Sequence, residues 1–454
     1  GPGFHPIRRQ TMTTTTQHWI DPQQVHDSLR KWILTDGYPV VLDLEKSRGA
    51  RLFDSRTGRE YLDFFGCFGS TPIGWNHPAL TDPAWLAGLG NVIANRPANS
   101  DLYTVEMAEF VARMGEVAVP EGYKHMFFVE GGALAVENAL KVAFDWKVRR
   151  NRAKGVDADV GSKVLHFTRA FHGRSGYTLS LTNTLPDKIE YFPKFDWPRV
   201  HAPEVAFPLE GEALAAHVAQ EDACLAEIDC AFAGHGDDIA AILIETIQCE
   251  GGDRHFRPEF LQALQARCEK YDCLFILDEV QTGYFASGKP WAFQHYGVAP
   301  DIFSFGKKSQ QCGIIAGPRI DEVPDNCFEK SSRINSTWGG NLVDMVRATR
   351  VLEVVRDEDL AGNAAKQGAY WLENMRQIAS RHDMVSNVRG LGLIMAFDLP
   401  DGAHRDAFLG KAMENGMMGL GCGERTVRFR PHLALESADV DRALEISETT
   451  LGQL

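Results

Sequence analysis

The stretch Leu277-Asp278-Glu279-Val280-Gln281-Thr282-Gly283 closes an apolar run on a carboxylate. Pro300-Asp301-Ile302-Phe303-Ser304-Phe305-Gly306-Lys307-Lys308 closes another on two amines. Polar residues often terminate strands, so neither stretch alone argues for catalysis. Together they set Asp278 and a lysine at strand ends that can face one cleft. A lysine held there, partly desolvated, can bond an aldehyde carbon through its amine. A carboxylate beside a cation stays ionised and can keep a pyridine nitrogen protonated, so that the ring draws electrons. Those are the two demands that pyridoxal phosphate (PLP) makes. On these residues alone, Lys307 and Lys308 compete for the role.

A phosphorylated ring needs further contacts. Phe128-Val129-Glu130-Gly131-Gly132-Ala133-Leu134 reads as strand, glycine turn and helix start. Glycines admit close backbone approach, and the first N–H groups of a helix favour an anion. An ordinary strand-to-helix turn also uses two glycines. Phe171-His172-Gly173-Arg174 offers an aromatic face for a ring and a guanidinium that can grip a carboxylate at two points. A core Phe, a structural His and a surface Arg fit the same letters. Glu137 and Lys141, one helical turn apart, read as helix support. Asn335-Ser336-Thr337-Trp338-Gly339-Gly340-Asn341 reads as a polar loop before a helix.

Short apolar runs must hold these groups. His125–Glu130, Lys163–Phe167, Ala240–Glu245, Cys273–Glu279, Ile302–Gly306 and Gly313–Gly317 read as buried strands. Helical patterns over Gly132–Lys147 and Arg257–Tyr271 fall between them. Alternating strands and helices predict an α/β domain with a mostly parallel sheet, whose ligands sit beyond the carboxyl ends of the strands. Beyond residue 335 the pattern changes. Leu342–Arg356 and Ala364–Arg381 read as amphipathic helices, and Val388–Leu399 and Thr426–Arg430 as strands, which predicts a smaller α+β domain. The expected division is an N-terminal arm (1–36), a segment of strands and turns joining the small domain or a dimer surface (37–75), a large PLP-binding domain (76–334) and a C-terminal small domain (335–454).

Composition excludes several classes. A net charge of -14 argues against a nucleic-acid partner. No apolar run is long enough to span a bilayer, and residues Gly1 to Thr11 read as a tag or arm with no signal-peptide core, Met12 being a plausible start. The nine cysteines are scattered, without CxxC or zinc-site spacing, as expected for reduced thiols in a cytoplasmic protein that binds no metal.

From Asp278-Glu279-Val280-Gln281-Thr282-Gly283 through Pro300-Asp301-Ile302 to Lys307, the chain resembles the class III (ω-type) aminotransferases of PLP fold type I. In that family the lysine closing the second block carries the cofactor, which selects Lys307 over Lys308. The resemblance implies that Asp278 meets the ring nitrogen and Gln281 the phenolic oxygen. Val280 and Phe171 lie against the ring, and Gly132 and Ala133 lie at the phosphate, where the family often has Ser-Gly-Thr. It implies that Thr337 reaches the phosphate of a neighbouring subunit, hence a homodimer with shared sites. Glu245-Thr246-Ile247-Gln248-Cys249-Glu250-Gly251-Gly252 resembles the family's EPIQGEGG, with Thr246 and Cys249 as departures. Glu250 would pair with Arg428, in Val427-Arg428-Phe429-Arg430-Pro431. One cavity must take an amine with no nearby carboxylate and then a dicarboxylate, so Glu250 would mask Arg428 in one half-reaction and release it in the other. A plain buried salt bridge would look the same at rest.

The stretches Phe128–Trp146, Phe171–Asn183, Phe192–Arg199, Gly251–Phe260 and Ser331–Met345 are most similar to the lysine ε-aminotransferase branch of the class. That implies transfer from L-lysine to 2-oxoglutarate. Arg174 is then expected at the substrate carboxylate, with Asn335 and Asn99-Ser100-Asp101 as weaker candidates for the α-end. Ornithine, 4-aminobutyrate and diamine enzymes of the class, a mutase or decarboxylase on the same fold, and a non-catalytic PLP binder are the competing readings.

Overall fold

A computed structural model describes residues 18–454; residues 1–17, with the expected tag and start, lie outside them. Two short antiparallel strands come first, β1 (Arg51–Phe53) and β2 (Glu60–Asp63). The strands of the next region are β3 (His125–Val129), β4 (Lys163–Phe167), β5 (Arg199–Val200), β6 (Ile239–Glu245), β7 (Leu274–Asp278), β8 (Ile302–Phe305) and β9 (Cys312–Ala316). They form one sheet in the order β3-β9-β8-β7-β6-β4-β5. The neighbours β8-β7-β6-β4-β5 are parallel, and β9 is antiparallel to both β8 and β3. The mostly parallel expectation therefore holds.

This sheet is buried on both faces, which is why its strands read as continuous apolar runs rather than alternating ones. All seven residues of β6 are buried. Period-two geometry then sorts the side chains. Leu274, Ile276, Leu243 and Ile302 pack into one core with the helix Gly132–Ala153, while Phe275, Leu277, Ile244 and Phe303 pack into another. The second core continues into Met395, Phe397 and Phe429 of the C-terminal region.

That region holds β10 (Ser386–Leu391), β11 (Ile394–Asp398), β12 (Met417–Met418), β13 (Leu420–Cys422) and β14 (Thr426–Phe429). The antiparallel order is β10-β11-β14-β13, and β12 instead pairs in parallel with β2. Chain ends far apart in sequence are thereby joined. The run Val388–Leu399, expected as one strand, is a hairpin. It breaks at Gly392, whose φ of +57° and close approach to the Ala286 carbonyl (2.4 Å from an added Cβ) leave no room for a side chain. The helix Gly211–His235 had no counterpart in the sequence reading. Among the described residues no helix is long and apolar enough to cross a membrane, and no group of three or more His, Cys, Asp or Glu is set to hold a metal ion. The nine cysteines are all free.

Candidate active site

The carboxyl ends of β4, β6, β7 and β8 open onto one cavity of about 520 Å³. Its wall includes Phe171 and Arg174 beyond β4, Glu245 at the end of β6, Asp278 at the end of β7 and Lys307 just beyond β8. The parallel strands bring them together because β6, β7 and β8 pair in register: Glu245 lies beside Asp278, and Asp278 beside Ser304.

Asp278 is buried and held at both oxygens. Oδ1 accepts from the Val280 amide (3.0 Å) and the Ser304 hydroxyl (2.9 Å), and Oδ2 faces His172 Nδ1 at 2.8 Å. His172 is thus a support for Asp278, a link that no strand-end argument could have found. Its Nε2 has no partner among the described residues.

Lys307 adopts a left-handed conformation, φ +54°, which turns its side chain off the strand end into the cavity. Its ammonium lies 5.7 Å from the centre of the Phe68 ring. Burial, then the nearby Arg428, lowers its basicity. Lys308 goes elsewhere. It is buried, donates to the Gly69 carbonyl at 2.7 Å, and is pushed down to about 7 by burial and by Arg430. Only Lys307 of the pair lines the cavity.

At the other wall the helix Gly132–Ala153 begins with Gly131 at φ +101° and no side-chain cap, so its first N–H groups are open to an anion. A Cβ on Gly132 would come within 2.7 Å of Val280 Cγ1. The donor set fits PLP: amides and a dipole for the phosphate, Phe171 and Val280 as apolar faces, a carboxylate and an amine. Gln281 fits as well. Its Oε1 accepts from Arg428 (2.9 Å) and Arg430 Nε (3.0 Å), which orients the amide so that its NH₂ is the free end.

The two residues expected to form a gate are also adjacent. Glu250 Oε2 pairs with Arg428, which is wholly buried and stands behind Glu250 and Gln281 rather than at the cavity wall. Glu250 Oε1 takes a bond from Lys188 Nζ at 2.9 Å. Burial works to raise the Glu250 carboxyl, but Arg428 and Lys188 outweigh it and hold it low. The departure Thr246 donates its hydroxyl to Glu279, which burial raises to about 7, and Cys249 Sγ rests against the Ile247 carbonyl at 3.4 Å. Arg174 is exposed and, among the described residues, finds no acceptor; its guanidinium lies 6.0 Å from the Phe171 ring centre.

Thr337 and Asn335 lie outside this cavity, both exposed, in the loop before helix Leu342–Asp357. Asn335 turns back onto the Ser336 amide at 2.8 Å. Sequence reasoning missed Lys188, Glu245 and Phe68. Glu245 closes a strand as Asp278 does and was legible on that ground; Phe68 and Lys188 sit in irregular turns with no such signal.

Known proteins agree with this architecture. The L-lysine-epsilon aminotransferase of Mycobacterium tuberculosis is 49% identical over 95% of this chain and 96% of its own length. That of Amycolatopsis lactamdurans is 48% identical over 95% and 96%. The solved lysine aminotransferase from M. tuberculosis, in its internal aldimine form, superposes with a TM-score of 0.93 at 48% identity, covering 96% of this chain and all of that one. The model for aminotransferase class-III matches residues 34–451. With that span matched, and with a cavity whose donors suit PLP, the chain belongs to the class III aminotransferases, PLP-dependent enzymes of fold type I.

Proposed function

We propose that this aminotransferase moves the ε-amino group of L-lysine to 2-oxoglutarate. The products are glutamate and 2-aminoadipate 6-semialdehyde, which closes to piperideine-6-carboxylate. The observation that carries the two-substrate reading is the pairing of Glu250, at the cavity wall, with Arg428 buried behind it. Lysine as the donor is supported by the activity named for relatives at 46–49% identity.

Bound PLP supplies an aldehyde that accepts the amino group and a protonated ring that withdraws electrons from the substrate carbon. The chain's residues do the rest. Asp278, fixed by Val280, Ser304 and His172, holds the proton on the ring nitrogen. The NH₂ of Gln281 serves the phenolic oxygen, and the amides of Gly132 and Ala133 hold the phosphate. Thr337 of a second copy adds a hydroxyl there, in a homodimer with shared sites. Lys307 would take the proton from the substrate carbon and deliver it across the nitrogen to the cofactor's former aldehyde carbon, two atoms away. Burial and Arg428 lower its basicity, the direction that suits an amine that must give up and take a proton.

Arg174 takes the lysine carboxylate at the cavity mouth, because its guanidinium is exposed and uncommitted there. With lysine bound, Glu250 neutralises Arg428 beside the reacting ε-carbon, which bears no carboxylate. When 2-oxoglutarate enters, Glu250 turns aside, Arg428 takes the carboxylate next to the keto carbon, and Arg174 takes the distal one.

An amine-donor screen with 2-oxoglutarate tests the proposal. Lysine should give glutamate in equal amount to cyclic imine trapped from solution. If ornithine, 4-aminobutyrate or a diamine gives glutamate and lysine does not, the donor assignment is wrong.

A further inference from the structure

Glu250 is held from two sides. Arg428 takes one carboxylate oxygen and Lys188 takes the other at 2.9 Å. Lys188 ends the short turn Pro186–Lys188, lines the same cavity, and has a side chain only 12% exposed. Its ammonium also touches the Thr184 hydroxyl at 3.3 Å and sits 5.1 Å from the centre of the Phe171 ring. It is therefore a cation inside the substrate cavity whose one carboxylate partner among the described residues is the residue that must move.

Two physical consequences point the same way. When Glu250 leaves Arg428, a carboxylate that is mostly out of water would lose its charged partner, which is costly. The bond to Lys188 is already made while Glu250 sits on Arg428 and can be kept as it turns, so the carboxylate is not left without a charged partner. The substrates also differ in charge: lysine enters with a net positive charge and 2-oxoglutarate with two negative ones. A fixed cation in the cavity favours the second and opposes the first. Resting on the reading of Glu250 as a gate, we propose that Lys188 is a positioning residue that keeps Glu250 paired as it leaves Arg428 and biases the cavity toward the dicarboxylate acceptor.

The test uses holoenzyme carrying Lys188→Met, with Lys188→Gln as a second variant that keeps a hydrogen-bond donor and removes the charge. Each half-reaction is followed in single turnovers, with lysine and with 2-oxoglutarate, and the affinity for glutarate, a dicarboxylate with no keto group, is measured by calorimetry. Acceptor kcat/KM and glutarate affinity should each fall roughly tenfold relative to the lysine half-reaction. Lys188→Arg should restore most of both. Equal losses in the two half-reactions, or an unchanged ratio with a lowered melting temperature, would make Lys188 a brace for the turn at Thr184 and overturn the inference. Glu250→Ala in the same assays separates the failures. If Glu250→Ala shifts the ratio and Lys188→Met does not, Lys188 alone has been misread. If Glu250→Ala leaves the ratio unchanged, the gate reading falls and this inference falls with it.

Discussion

Two adjacent lysines, chemically alike, are separated by one backbone angle and one carbonyl. Lys307 at φ +54° reaches the cavity, while Lys308 is spent on the Gly69 carbonyl. Borohydride reduction of the holoenzyme followed by peptide mass spectrometry should find the cofactor on Lys307 and not on Lys308. Lys307→Ala should lower transamination by at least about 10³-fold, the upper range for loss of a positioned acid–base. Lys308→Met should remain active within a few-fold and lose stability instead, by about 1–3 kcal/mol, because the Gly69 carbonyl is left without its donor. Cofactor on Lys308, or comparable inactivation by the two substitutions, would reverse the assignment. At this scale Asp278 and Lys307 were legible because apolar runs stop on them. The choice between Lys307 and Lys308 came from the family resemblance and not from the residues themselves, since it depends on a left-handed turn that the letters GKKS do not encode. His172 was equally opaque: its bond joins the loop after β4 to Asp278 at the end of β7, which meet only through the pairing of β4, β6 and β7.

At the scale of elements, the six apolar runs of the large sheet were found to within a residue or two. Strands buried on both faces leave an unmistakable apolar block. Helix Gly211–His235 left no such mark, because few of its residues are buried: His217, Glu221, Cys224, Ile228 and Phe232. What fastens elements to each other is also hidden from sequence, and Asp272 illustrates it. This residue, at the entry to β7, receives two carboxylate bonds from Arg150 Nε of helix Gly132–Ala153, at 2.7 and 2.8 Å, and a third from Lys154, which caps that helix. Lys147 of the same helix donates to its carbonyl at 2.7 Å. Burial works to raise the carboxyl, but the bonds from Arg150 and Lys154 outweigh it and bring it from 3.8 down to about 2. A folded value below the unfolded one means stabilisation that is complete above about pH 4 and is lost as pH falls through about 2. Asp272 sits at φ +57°, which asparagine also accepts, so Asp272→Asn removes the charge with little backbone strain. Urea midpoints should place the variant about 1 kcal/mol below the parent at pH 7, with the gap narrowing at pH 3. A gap that is unchanged with pH would mean that packing, and not charge, joins the helix to β7.

At the scale of the whole molecule, the proposed phosphate cradle of one chain has no hydroxyl of its own. Gly132 and Ala133, the residues proposed for it, carry no side-chain donor, while Thr337 lies exposed outside the cavity. Its loop adjoins an apolar surface: Ser100 Oγ bonds the Ser336 carbonyl at 3.0 Å, and Ile93, Leu102, Tyr103 and Val105 are 68–81% exposed nearby in the chain. A second copy covering that surface would carry its own Thr337 to this cradle. Differently tagged Lys307→Ala and Thr337→Ala chains, co-expressed and purified through both tags, give a mixed dimer that decides the matter. If Thr337 serves the other chain, the Thr337→Ala protomer keeps its own Lys307 and receives an intact Thr337 from its neighbour. The mixed dimer then has one wild-type site, with half the parent's activity and the parent's cofactor affinity. The Thr337→Ala homodimer should bind cofactor roughly tenfold more weakly, the usual effect of losing a bond to a charged group. If Thr337 served its own chain, the surviving site of the mixed dimer would show that same weakened affinity. A purely monomeric chain would yield no doubly tagged species at all.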